Sequence, residues 1–129
     1  MMNYVNGFGV ADSDESATVR ATPVVTTEHL RDAVVLTVAG EIDMTTAPAL
    51  EDAVRKSLIE HPATLVVDLS GAEFFSSAGI AVLMLAHRNN FGVALRVVAT
   101  DRIVLRPLEL TGLTDDLAIY DSLDTALQA

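Results

Sequence analysis

Short β-branched apolar runs alternate with stretches of helical periodicity along most of this chain, and that alternation constrains its fold more than any other feature. The clearest runs are Ala33–Ala39, Leu65–Val67, Leu95–Val98 and Ala118–Tyr120. Leu65-Val66-Val67 is apolar without interruption, the mark of a strand covered on both faces. Between the first two runs, Leu50, Val54 and Leu58 recur at i, i+4 spacing, and Glu51/Arg55 and Asp52/Lys56 form favourably oriented i, i+4 pairs. That helix is expected to start near Thr45 or Thr46, with Pro48 in its first turn, and to end before Pro62. A second helix over 77–88 puts Ile80, Leu83, Met84 and His87 on one side. A third runs from an Asp101 cap to about Leu110, where Pro107 is expected to kink it or delay its start. A last helix spans Ser122 to Gln128. Val24–Thr27 adds a short strand ahead of the others, joined to Ala33–Ala39 by a polar hairpin connection over Glu28–Asp32.

The implied order is strand, strand, helix, strand, helix, strand, helix, strand, helix. This is an α/β fold: a mixed, mostly parallel sheet of about five strands with about four helices, opened by an antiparallel pair. Residues 1–20 read as a flexible acidic tail, because Asp12-Ser13-Asp14-Glu15-Ser16 is too polar to bury, and 21–129 read as one domain. In such sheets functional groups gather beyond the carboxyl ends of the strands. Asp43, Asp68 and Ser77 each follow a predicted strand and are expected on one rim.

Composition removes several function classes. A net charge of −10, with one lysine and seven scattered arginines, argues against nucleic acid and favours a basic or mixed partner surface. The absence of cysteine excludes disulfides, thiolate catalysis and cysteine metal sites. His29, His61 and His87 follow no metal-ligand spacing, so neither a metal nor a cofactor is expected. No apolar segment suggests a membrane span, which leads to the expectation of a cytoplasmic protein.

The most informative segment runs Val66-Val67-Asp68-Leu69-Ser70-Gly71-Ala72-Glu73-Phe74-Phe75-Ser76-Ser77-Ala78-Gly79-Ile80. An apolar strand is expected to end in an acidic, small-residue turn, after which two serines open an apolar helix. One of the two should cap that helix. No G-x-S-x-G elbow surrounds them, no base is placed to serve them, and no phosphate-binding loop with its lysine occurs. A phosphoaspartate receiver site fails for want of a lysine after Lys56. No catalytic residue is expected. Phosphate acceptance remains, because a helix N-terminus tolerates the added charge while a partner facing the same rim does not.

The chain resembles bacterial anti-sigma factor antagonists built on a single STAS domain. Gly40-Glu41-Ile42-Asp43, followed by Thr46-Ala47, resembles the family's G-E-[LI]-D…T-A segment. Asp68 to Ile80 resembles its D-L-S…D-S-x-G-[LI] segment, and Leu108-Glu109-Leu110-Thr111-Gly112-Leu113 resembles a late helix end. The resemblance covers Val24 to the C-terminus. It implies that the serine two residues before the glycine, Ser77, is phosphorylated by a cognate anti-sigma factor acting as an ATP-dependent serine kinase. A serine phosphatase reverses the step, and the unphosphorylated antagonist binds the anti-sigma factor and frees a sigma factor. By the same resemblance Asp43, Thr45, Asp68, Phe75, Ser76, Ser77, Ala78 and Gly79 make the partner surface; the chain itself is expected to be a monomer or weak dimer. Ser76 stands where the family usually has aspartate. That departure makes Ser76 a second candidate acceptor and leaves an alternative: an adaptor of the same fold that binds its partner without phosphorylation, in a transport or signalling complex.

Overall fold

The computed structural model describes residues 24–129, and the acidic segment expected over residues 1–20 lies outside the described residues. Two strands, β1 (Val25–Leu30) and β2 (Ala33–Ile42), form an antiparallel hairpin closed by Arg31 and Asp32. The chain then alternates: α1 (Ala47–Ile59), β3 (Thr64–Phe75), α2 (Ser77–Arg88), β4 (Ala94–Val98), α3 (Arg102–Leu110), a 3-10 turn (Leu113–Asp115), β5 (Ala118–Tyr120) and α4 (Leu123–Gln128). The five strands lie side by side in sequence order, and every neighbouring pair after the hairpin is parallel.

That order dictates where the helices go. When parallel strands follow one another across a sheet, right-handed crossovers all fall on the same face. Leu50, Val54 and Leu58 of α1, Leu83 of α2 and Val104 and Leu108 of α3 accordingly share one core with Leu36, Leu65 and Val67. Helix α4 is no crossover, and it covers the opposite face. There Ala126 packs on Val35, Val66 and Val98, flanked by Leu123 and Leu127. Val66 and its neighbours Leu65 and Val67 thus point to opposite faces of a doubly covered strand, as their unbroken apolar run predicts.

Three expectations need correction. Strand β1 continues to Leu30, and the hairpin turns in two residues instead of five, with Arg31 in the left-handed region at φ +48°. Pro107 does not delay α3, which begins at Arg102 under an Asp101 side chain that accepts the Ile103 N–H at 2.9 Å. The helical acceptor that Pro107 leaves without a donor is the carbonyl of Ile103, an exposed residue that water can serve. The third correction concerns β3. It does not end after Val67 but runs on through the acidic and small residues to Phe75. It does so by bulging: from Asp68 to Phe75 it takes seven residue steps, while β2 covers the paired stretch Thr37 to Ile42 in five. No helix among the described residues is long and apolar enough to cross a membrane.

Candidate functional site: the rim of strands β2 and β3

Strands β2 and β3 end side by side, with Ile42 opposite Phe75, so the joints that lead into α1 and α2 are neighbours on one rim. The Ser76 N–H donates to the Ile42 carbonyl at 2.9 Å and ties the two joints together. Behind them, Ile42 and Phe75 are buried and receive the first turn of α2. Gly79 makes that contact possible. A Cβ there would lie 2.8 Å from Ile42 Cγ2 and from Phe75 Cε1 and Cζ.

At the first joint the polar groups satisfy one another. Asp43 Oδ1 accepts the N–H groups of Thr45 (2.9 Å) and Thr46 (3.1 Å). Thr46 Oγ1 donates to the Glu41 carbonyl at 2.7 Å and accepts the Asp43 N–H at 2.9 Å. The N–H of Thr45 first, and then that of Thr46, hold the Asp43 carboxyl below the usual carboxylate range. Of the two threonines expected near the start of α1, Thr46 sits at the N-cap position, but its hydroxyl makes no capping bond; it points back to β2 and leaves the turn to Asp43.

At the second joint the two serines part. Ser76 has extended backbone at the N-cap, and its Oγ accepts the Ala78 N–H at 3.2 Å. It is half-buried. Ser77 is the first helical residue and is exposed, and among the described residues its hydroxyl enters no hydrogen bond. Sequence alone leaves the capping role open between the two; the structure gives it to Ser76.

Asp43, Thr45, Ser76, Ser77 and Ala78 therefore come together at the rim, with Thr45 and Ser77 exposed and the other three half-buried. Phe75 and Gly79 stand directly behind it, out of solvent, and can support the rim without forming its surface. Asp68 is further off. Because β3 continues past it, Asp68 lies within the strand instead of beyond its end, is 8% exposed, and uses Oδ1 to accept the Ser70 N–H (3.0 Å) and hydroxyl (2.7 Å) at the bulge. Met44 is the residue that sequence reasoning missed. It lies between Asp43 and Thr45 and is 84% exposed, and an apolar side chain inside a polar turn was the available signal.

At the first joint a cleft of about 410 Å³ is lined by Val24, Ala39, Gly40, Thr46 and three carboxylate residues, Glu41, Asp43 and Glu73. Among the described residues no Lys, Arg or His forms an ion pair with these three. No group of three or more His, Cys, Asp or Glu among the described residues is placed to hold a metal ion.

Comparison with known proteins covers the domain that carries this rim. The STAS domain family profile matches residues 24–126. The chain is 38% identical over 95 residues to the anti-sigma-F factor antagonist RsfB of Mycobacterium tuberculosis, a match covering 72% of this chain and 77% of that protein. It is 34% identical over 110 residues to RsfA of the same organism, also named an anti-sigma-F factor antagonist, covering 81% and 84%. The crystal structure of an anti-sigma factor antagonist from Mycobacterium paratuberculosis superposes with a TM-score of 0.76 at 38% identity, over 85% of this chain and 97% of that one.

Proposed function

The chain belongs to the STAS-domain family, among relatives of the anti-sigma factor antagonists, and from that premise we propose that it is itself an anti-sigma factor antagonist switched off by phosphorylation of Ser77. Domains of this kind are regulatory and non-catalytic, so the chain acts as binding partner and substrate. Its partner in this reading is an anti-sigma factor that is also an ATP-dependent serine kinase. Binding frees a sigma factor in the cytoplasm, and a serine phosphatase restores the binding form.

The observation that carries the reading is the division of labour between the two serines. Ser76 is engaged by its own helix, whereas the hydroxyl of Ser77, on the exposed first turn, bonds nothing among the described residues. A phosphate on Ser77 adds about −1.5 to −2 charges at neutral pH. The amides of the α2 N-terminus accommodate that charge, so the domain stays folded. Glu41, Asp43 and Glu73 on the adjoining cleft do not offset it. A partner surface matched to the unmodified rim then meets an excess of negative charge and separates.

The test is the affinity of wild type, Ser77→Asp and Ser77→Ala for the host's anti-sigma serine kinases, together with mass-spectrometric localisation of phosphate after incubation with ATP. Wild type and Ser77→Ala should bind one kinase. Ser77→Asp should bind it at least about tenfold more weakly, roughly 1.4 kcal/mol, with an unchanged melting temperature. Phosphate should appear on Ser77 and not on Ser76. Equal affinity of wild type and Ser77→Asp, or phosphate confined to Ser76, would overturn the proposal.

A further inference from the structure

At the opposite end of α1 and α2 from the rim, the two helices leave an apolar groove of about 240 Å³ between them. Val54, Leu58 and Val82 are buried in its floor, while Ile59 (66% exposed), Leu85 (48%) and Phe91 (68%) stand open around it. Three of the seven exposed large apolar side chains of the described residues thus surround one concavity. Single exposed apolar residues are ordinary, but a cluster about a groove marks a surface that something covers. The groove lies away from Ser77 and has no part in the switch proposed above.

We propose that the groove is the docking site for residues 4–10 of this same chain, Tyr4 to Val10. Three observations select that occupant. The first is apolar match: two of the chain's six aromatic residues, Tyr4 and Phe8, fall within its first ten positions, with Val5 and Val10 beside them. The second is charge. Two residues after Val10 the acidic run Asp12-Ser13-Asp14-Glu15 begins; Arg55 lines the groove beside Glu51 and pairs with Asp52, so the cation left for that run is Arg88, one helical turn beyond the lining residue Leu85. Arg88 is exposed and makes no ion pair among the described residues.

The third is reach. Val24, where the described chain begins, lines the rim cleft beside the start of α1, and the groove is lined by residues 51–59 of that helix. Thirteen helical residues span about 20 Å. A random coil of sixteen residues, the number that separates Phe8 from Val24, has a root-mean-square span of about 22 Å. A tether whose natural length matches the gap gives the highest effective concentration, in the millimolar range. A second copy of the chain is the weaker occupant, because two molecules of net charge −10 repel one another.

The absence of native cysteine makes the test direct. In the full chain, Gly9→Cys is paired either with Asn89→Cys, at the groove, or with Leu110→Cys, an exposed position at the end of α3. Oxidised glutathione supplies the oxidising equivalents, and intrachain and interchain products are separated by mass. Docking predicts that the 9–89 intrachain disulfide forms at least about tenfold faster than the 9–110 one, and that adding Phe8→Ala removes the advantage. Equal rates for the two pairs would overturn the proposal. So would a 9–89 product that is chiefly interchain, which would assign the groove to a second copy.

Discussion

The two strand-to-helix joints on the rim are built from the same kinds of residue and end in opposite states. At the β2–α1 joint, Asp43 and Thr46 use their polar atoms on the turn itself, three backbone N–H groups and one carbonyl among them. At the β3–α2 joint, Ser76 does the corresponding work alone and Ser77 is left over. A hydroxyl already serving a buried backbone group cannot be modified without cost to the fold. A hydroxyl with no partner can be changed while the fold stands. The difference between structure and switch on this rim is therefore one of hydrogen-bond bookkeeping.

Gly79 gives the largest effect expected from breaking that arrangement, because it seats α2 against the last residues of both strands. Gly79→Ala places a methyl 2.8 Å from Ile42 and Phe75, both too tightly packed to yield freely. The expected loss is about 1–3 kcal/mol of folding stability, read by urea denaturation. An unchanged midpoint would mean that α2 lifts away from the strands without penalty, and that the two joints are not rigidly coupled.

Smaller, and more telling, is the contrast between the serines. Ser76→Ala removes the acceptor for the Ala78 N–H and should cost about 1 kcal/mol. Ser77→Ala removes a hydroxyl that bonds nothing among the described residues, and should change stability by less than about 0.5 kcal/mol. Equal losses in thermal melts would erase the distinction on which the proposed switch rests.

The architecture was legible because each β-branched run and each helical period is a local pattern, and sequential parallel strands leave little choice of topology. What stayed hidden was set by partners distant in sequence. Asp68-Leu69-Ser70-Gly71-Ala72-Glu73 has the composition of a turn, yet it forms strand because β2 runs alongside and a bulge absorbs the two extra residues. That single misreading displaced Asp68 from the strand interior to the rim. The choice between Ser76 and Ser77 was hidden for a related reason, since both types cap helices and only the backbone path decides which one does. Met44 was overlooked because an apolar residue inside a polar turn signals exposure only once the turn itself is recognised.

Asp43 offers the finest probe of the saturated joint, through pH. Bonding to the N–H groups of Thr45 and Thr46 lowers its folded pKa below its ordinary value of 3.8, so the folded state binds the proton less readily than the unfolded chain does. The stability this provides is fully present above the unfolded value and is lost as pH falls through the lowered folded one. Asp52 and Glu109 carry lowered carboxyl values as well, from Lys56 and from Arg102 respectively, so acid sensitivity of the wild type alone does not isolate the joint. Asp43→Asn does, because the amide oxygen keeps an acceptor in place while the titrating charge is gone. The difference in melting temperature between wild type and Asp43→Asn should hold steady from neutral pH down to about pH 5, then shrink as the carboxylate of the wild type is protonated. A difference that persisted undiminished into strong acid would mean that the carboxylate's charge contributes nothing, and that the turn at this joint is held by its hydrogen-bond geometry alone.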